Sequence, residues 1–416
     1  MRLLYICRLF SGLADGVRAH RWEPRGVPTV YRLIEALDRS NHDLRLVFTV
    51  KDDAVGWPGR QIETFDIAGL SCPVTVVPQG IPPLPFAGRA RGYLREARQF
   101  LAIRRIIDEH APDLVYFDRV NIYAAALTAR RGNVPVVWRV MGVPPSMHDI
   151  LDASGPVAAY TRHAYRAPFA TVICTRDGSG GDPWMTRALA PDTPRQMMIN
   201  GVDPVSDLPL PPAIAGSITG AGAGTKVLFV ARLVEDKGCL SFVDAICESL
   251  DRVPQGFTAV IAGSGPFEAP MRERAAERGY GDRFIFLGQV AHREVLALHR
   301  HCDIYVSLNS MCNLTNANLE AMKAGVCMII PASPGIRGID VDTDALMPPD
   351  LVWRIASPDD IAGLSDALVR LHGNPGERHR RAAATAARAQ AVIPDWRTRI
   401  DNEIALLEQI AAGRNR

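Results

Sequence analysis

Short, almost purely apolar runs alternate with amphipathic stretches along most of this chain. Residues 3–7, 44–50, 74–77, 114–117, 136–140 and 171–175 are runs rich in Val, Ile, Leu and aromatic residues with little polar alternation. Strands buried on both faces, as in parallel sheets, need that composition. Between them, residues 29–38, 89–109, 122–130 and 156–166 place apolar residues at helical spacing. The second half repeats the arrangement: strands are expected at 227–230, from 258 into a glycine-bearing turn ending at Pro266, at 284–290 and at 303–310. A polar loop and a helix over 313–325 follow, stopped by Gly325. Strand and helix in strict alternation predict right-handed crossovers and doubly wound α/β sheets.

Residues 208–224, LPLPPAIAGSITGAGAG, are rich in Pro, Gly and Ala and show no periodicity. They read as a linker between a domain over 1–207 and another over 225–394. Residues 395–416 carry a final amphipathic helix. A chain of 416 residues has room for two such cores. No internal repeat interrupts the pattern beyond an alanine-rich stretch at 382–391. The apolar start is short, with Arg2 and Arg8 flanking about five apolar residues, so it reads as a buried strand rather than a leader, and no run reaches the roughly 18–20 apolar residues of a membrane span.

Composition excludes more than it selects. A net charge of +2 with 22% charged residues gives no bulk attraction to nucleic acid. Eight cysteines form no CxxC pair and no zinc-type cluster with histidine. Several, Cys174 and Cys327 among them, sit in apolar runs, which points to reduced buried thiols and a cytoplasmic chain.

Candidate chemistry gathers where the second half's strands end. Arg232 and Lys237 follow the strand at 227–230, Gly263 and Gly265 sit in the turn after the next strand, and Asn313, Leu314 and Thr315 precede the helix carrying Glu320. Backbone N–H groups at a helix start favour anions, and glycine lets backbone come close to a ligand. These residues resemble the donor-binding half of the family 4 glycosyltransferases. The landmarks are Ala231-Arg232-Leu233 with Lys237-Gly238, then Gly263-Ser264-Gly265-Pro266, Phe286-Leu287-Gly288, Ser307, and Glu320-Ala321-Met322 with Gly325; Asn200-Gly201-Val202-Asp203 matches the end of the first domain. The resemblance implies a GT-B fold, two Rossmann-like domains facing each other across a cleft, with the last helix crossing back to the first domain. It also implies a retaining transferase that takes a nucleoside-diphosphate sugar as donor and requires no cofactor. By position, Arg232 and Lys237 would bind the diphosphate and Glu320 the ribose diol. With no carboxylate pair to hold a divalent metal, cations and backbone N–H groups would neutralise the leaving diphosphate.

Two positions depart from the family pattern. The glutamate expected eight residues before Glu320 is Cys312, which cannot hold a sugar hydroxyl as a carboxylate does. The histidine expected after the fifth strand is Met141, and His148 is the nearby imidazole able to replace it. In the first half, Gly26 before Val27-Pro28-Thr29 resembles the family's glycine-rich helix entry, in a loop made basic by Arg18, His20, Arg21 and Arg25; Gly26 and Arg25 are the strongest donor-side candidates there. The helix over 89–109 interleaves arginines with Tyr93, Leu94, Phe100 and Leu101 and could rest on an anionic membrane beside a lipid-linked acceptor. The expectation is therefore a glycosyltransferase acting on a glycan or glycolipid of surface polysaccharide or glycoconjugate synthesis. A non-catalytic nucleotide-sugar binder and a sugar-nucleotide 2-epimerase are the alternatives.

Overall fold

The computed structural model describes residues 1–51, 57, 61–80, 88–204, 209–220, 224–332 and 341–413, and the side chains of 88–93 and 341 lie outside that description. The chain divides into two compact units. Unit 1 comprises Met1–Thr175, Gly181–Met198 and Trp396–Arg416, and unit 2 comprises Arg176–Gly180 and Ile199–Asp395.

Among the described residues, unit 1 is built on eight strands: β1 (Arg2–Arg8), β2 (Asp43–Val50), β3 (Glu63–Phe65), β4 (Val74–Pro78), β5 (Leu114–Asp118), β6 (Val136–Val140), β7 (Thr171–Thr175) and β8 (Arg195–Met198). Their order across the sheet is β3-β4-β2-β1-β5-β6-β7-β8, parallel throughout except for the antiparallel edge pair β3 and β4. In β1 the even and odd positions feed different cores, Leu4 and Ile6 on one face, Leu3, Tyr5 and Cys7 on the other. Both faces are covered, which is why the strand reads as a continuous apolar run. The helix Trp396–Gly413 packs in unit 1, where Trp396, Ile400 and Leu407 join the core holding Leu3 and Tyr5.

Unit 2 holds, among its described residues, six parallel strands: β9 (Thr225–Val230), β10 (Phe257–Ala262), β11 (Phe284–Phe286), β12 (Ile304–Val306), β13 (Cys327–Pro331) and β14 (Trp353–Ile355). Their order is β11-β10-β9-β12-β13-β14. β9, the first of them in sequence, lies inside the sheet, so the direction of winding reverses beside it. Ligands of open α/β sheets bind at such a switch, outside the strands' C-terminal ends. Val227 and Phe229 face one core and Leu228 the other. The α/β, doubly wound expectation holds for both units.

Three expectations need correction. The basic segment from Phe10 to Pro28 is not one long loop, because Ser11–Arg18 forms a helix whose Leu13, Ala14 and Val17 are buried. The stretch 208–224 is not irregular throughout: Pro212–Gly220 is helical, with Pro at its start and Ile218 buried in unit 2's core, although residues 208 and 221–223 fall outside the described set. The strands expected at 284–290 and 303–310 are only three residues each. Among the described residues, no helix is long and apolar enough to cross a membrane.

Candidate functional site

In unit 2 a cavity of about 190 Å³ opens where β9 and β12 end, lined by Arg232, Lys237, Ser307, Asn309, Thr315 and Ala317 among others. Its position follows from the backbone. β9 runs out at Val230, and the chain continues beside the end of β10, where Ala231 donates its N–H to the carbonyl of Ala262 at 3.2 Å. The short turn Glu235–Lys237 leads into Gly238, at φ +65°, where a Cβ would lie 2.5 Å from the Cβ of Leu308. Only glycine allows β9's loop to pass β12's loop that closely.

Gly263 and Gly265 do related work. A Cβ on Gly263, at φ +141°, would sit 1.8 Å from the carbonyl oxygen of Ala231, and one on Gly265 would sit 2.3 Å from that of Leu233. Leu233 donates its N–H to the carbonyl of Ser264 at 3.0 Å, and Phe267 donates to the carbonyl of Leu233 at 3.0 Å. The sequence suggested glycines opened toward a ligand. The close approach seen is instead to the chain's own backbone, and it fixes the segment that carries Arg232.

Among the described residues, the cavity's charge comes from two side chains. Arg232 is exposed, and among the described residues no carboxylate lies within 4 Å of it. Lys237 is 20% exposed, paired with Asp236 at 2.9 Å, and its Nζ donates to Oδ1 of Asn309 at 3.2 Å. Asn309 in turn donates to Sγ of Cys312 at 3.8 Å. Cys312 thus stands one contact from the lysine, at the position where the family pattern has a carboxylate.

The helix Asn316–Ala324 starts at this cavity. Thr315 caps it, its hydroxyl accepting the N–H of Asn318. The anion-favouring end of the helix, with Thr315 and Ala317 in the lining, therefore faces the same space as Arg232 and Lys237. Asn313 and Leu314 do not share that exposure. The N–H of Leu314 is taken by the carbonyl of Asp177 at 3.0 Å, and Leu314 is 1% exposed. Asn313 is fully buried; its Nδ2 donates to the carbonyl of Pro331 and its own carbonyl accepts from Nδ2 of Asn318. Both residues shape the loop rather than line the cavity, a correction to their expected role as direct donor ligands.

Glu320 lies within the helix, its side chain 8% exposed, with Oε1 3.6 Å from Nδ1 of His292. The other ring nitrogen of His292 is 3.9 Å from Oδ2 of Asp203. The sequence did not single out His292. It opens the helix His292–His301, 28 residues before Glu320, and no spacing rule links them.

In unit 1, Gly26 has φ +83° just before the helix Pro28–Asp38, and Arg25 donates its N–H to the carbonyl of Gly12 at 2.8 Å while its side chain stays exposed. The other basic residues of that segment are engaged: Arg18 pairs with Asp15, Arg21 with Glu23, and His20 stacks on Phe65. His148 is not in a surface loop. It is 2% exposed inside the helix Pro145–Asp152. Met141, just past β6, is half-buried against unit 1's core. On the helix Gly88–His110, Arg104 and Arg105 pair with Asp108 and Glu109 one turn on, and Arg98 donates to the carbonyl of Gly80. The proposed membrane-facing arginines are thus partly neutralised by their own helix, while Arg89, Arg91 and Tyr93 lie outside the described side chains.

Comparison with known proteins decides the family. Residues 220–388 match the family described as "Glycosyl transferases group 1", and residues 26–189 match "Glycosyl transferase 4-like domain". The chain belongs to the family 4 glycosyltransferases. Among curated relatives, this family 4 chain is 31% identical over 152 residues to a 2-deoxystreptamine glucosyltransferase of Streptomyces kanamyceticus, covering 36% of this chain and 37% of that one. It is 27% identical over 236 residues to a GDP-mannose-dependent alpha-(1-6)-phosphatidylinositol monomannoside mannosyltransferase of Mycobacterium tuberculosis, covering 56% and 59%. The matches thus span about a third to three fifths of those relatives. Among solved structures, sucrose-phosphate synthase of Thermosynechococcus elongatus superposes at TM-score 0.69 with 17% identity, over 99% of this chain and 100% of that one. The Anabaena protein HepE in complex with UDP-glucose does so at 0.66 and 16%, over 98% and 100%. The family 4 chain has the GT-B fold.

Proposed function

We propose that this protein transfers a hexosyl group from a nucleoside-diphosphate sugar to a glycan or glycolipid acceptor, with retention of anomeric configuration, on the cytoplasmic side of the cell. One observation carries the reading: Arg232, Lys237 and the start of the helix Asn316–Ala324 converge on a single cavity at the switch point of unit 2. As the sugar–phosphate bond breaks, negative charge grows on the departing diphosphate. Arg232, the anchored Lys237 and helix-end N–H groups stabilise that charge more than they stabilise the intact donor, and this difference is what accelerates the reaction. Arg232 can grip phosphate through two parallel N–H groups, whereas Lys237, anchored by Asn309, acts as a point charge. Glu320, largely buried on the same helix, fits a bidentate acceptor of the ribose hydroxyls. His148 would contribute to the sugar side only through movement of its buried helix. The retaining course follows the family pattern, in which the leaving phosphate takes the acceptor's proton and no protein nucleophile is needed.

Cys312 favours a second reading, a nucleotide-sugar binder without turnover, because a thiol cannot replace the carboxylate expected there. Purified protein should be offered UDP-, GDP- and ADP-sugars, scoring thermal shift and release of nucleoside diphosphate beside Arg232→Ala and Glu320→Ala. The expected result is a shift and slow release with one donor, release falling about 10²-fold or more in Arg232→Ala. A shift with no release under any acceptor mixture supports the binder, and no shift with any donor removes the diphosphate site.

A further inference from the structure

Asn309, in the loop after β12, is 4% exposed and borders the cavity of unit 2. Burial obliges a carboxamide to find partners, and both of its polar atoms have them. Oδ1 accepts from Nζ of Lys237 and from the N–H of Met311, each at 3.2 Å, and Nδ2 donates to Sγ of Cys312 at 3.8 Å. Chemistry forces this orientation of the amide. An ammonium and a backbone N–H are donors only, so a flipped amide would set its own NH₂ against two donors, whereas the sulfur can accept.

The contact with Met311 spans two residues and closes an Asx-type turn, so the loop itself holds the carboxamide independently of the lysine. β9 and β12 are neighbours in the sheet, and the loops that follow them are laced together. Ser310 gives both its N–H and its hydroxyl to the carbonyl of Asp236, each at 3.2 Å, and Gly238 passes close to Leu308. Lys237 ends a flexible four-carbon stem, and its carboxylate partner Asp236 is 36% exposed, where solvent screens the pair. Asn309 supplies what a second carboxylate could not, a fixed acceptor without charge. It holds the ammonium at the cavity and leaves the positive charge available to an anion.

We propose that Asn309 is a positioning residue for the departing diphosphate, a neutral anchor for Lys237 whose amide is turned the right way by the acceptor sulfur of Cys312. The inference rests on the transferase reading above and gives position 312 a part in it: the thiol serves the lysine, through Asn309, and not the sugar. A free nucleoside diphosphate carries more charge on its terminal phosphate than the sugar donor, whose terminal phosphate is esterified. Its binding therefore reports on the charge that grows as the bond breaks.

Calorimetry on the full chain compares UDP, GDP and ADP with UDP-glucose, GDP-mannose and ADP-glucose. The proteins are wild type, Asn309→Ala, Asn309→Asp, Lys237→Ala and the double variant Asn309→Ala with Lys237→Ala. Asn309→Ala should weaken nucleoside-diphosphate binding about tenfold or more, the worth of a hydrogen bond to a charged group, and weaken the sugar donor less. In the Lys237→Ala background the same change should cost almost nothing, because its effect runs through the lysine. Asn309→Asp preserves the shape and both accepted hydrogen bonds, which guards against simple misfolding. Its melting temperature should stay near wild type while nucleoside-diphosphate binding falls about tenfold, since a second carboxylate beside Asp236 cancels the lysine's charge. Equal binding by Asn309→Asp and wild type would mean that the side chain only closes its loop, and overturns the proposal. So does an Asn309→Ala loss that persists undiminished without Lys237, or one that is the same for diphosphate and sugar donor. If wild type binds none of the three nucleoside diphosphates, the diphosphate site falls and the proposal with it; binding by wild type separates that failure from a failure of Asn309's role alone.

Discussion

Gly263 and Arg232 make a pair in which one residue's missing side chain places the other's charge. A Cβ at 263 would fall 1.8 Å from the carbonyl oxygen of Ala231, so Gly263→Ala must push that strand end aside. The strained backbone adds roughly 1–3 kcal/mol. The expected outcome is a lower melting temperature together with weaker donor-induced stabilisation, because the loop that moves carries Arg232. An equal donor shift in Gly263→Ala and wild type would show that the loop's position does not matter for binding. The sequence revealed this much: glycine, arginine and lysine in family order. It could not reveal the direction in which the glycines face, since chain-against-chain packing and chain-against-ligand packing demand the same residue. Nor could it separate Thr315, which lines the cavity, from Leu314, whose N–H is spent on Asp177.

Among the elements, the helix Trp396–Gly413 and the helix His292–His301 each bury a titratable group, and both groups work in the same direction. Burial alone would raise the pKa of Glu403, but Arg139 and Arg399, with the Tyr116 hydroxyl donating at 2.6 Å, hold it below the usual carboxylate value. Burial depresses His299 to about 3, and neither ring nitrogen has a hydrogen-bond partner among the described residues. A depressed folded value means that the unfolded chain binds the proton first as pH falls, so stability declines with acid in both cases. For His299 the decline starts near pH 6.5 and continues toward 3, and Glu403 adds its loss below about pH 4.3. Urea midpoints should therefore be flat from pH 8 to 7 and drop below about 6.5, with His299→Leu flattening the upper part of that drop. Glu403→Ala should cost about 3–5 kcal/mol at neutral pH, because it strands Arg139 in a fully buried position. A midpoint unchanged by Glu403→Ala would refute that role. The helix itself was legible from its amphipathic sequence. Its buried contact with Arg139, 264 positions earlier, was not, because periodicity reports a face and never its partner. The helices Ser11–Arg18 and Pro212–Gly220 escaped for another reason: each is short and rich in small residues that also write loops.

At the scale of the whole molecule, the chain leaves unit 1 after Met198, builds unit 2, and comes back at Trp396 to complete the first sheet's cover. Removing residues 396–416 should accordingly raise hydrogen exchange in β1 and β5, elements of unit 1, and leave β9 and β12 protected. Loss of protection in unit 2 first would contradict that division. The alternation of strands and helices made both sheets readable in advance, because apolar runs buried on two faces leave an unmistakable composition. Residues 176–180 are a smaller excursion of the same kind: they sit within the first half of the sequence yet belong to unit 2, where the carbonyl of Asp177 receives the N–H of Leu314. Recombination between related transferases must respect this interleaving. A hybrid spliced once near residue 199 would inherit its unit 1 cover helix from one parent and the sheet beneath it from the other, and would set a foreign carbonyl against the loop before Thr315. Exchanging specificity cleanly calls for a graft with four junctions, in which 176–180 travels with 199–395 and the final helix stays with its original sheet.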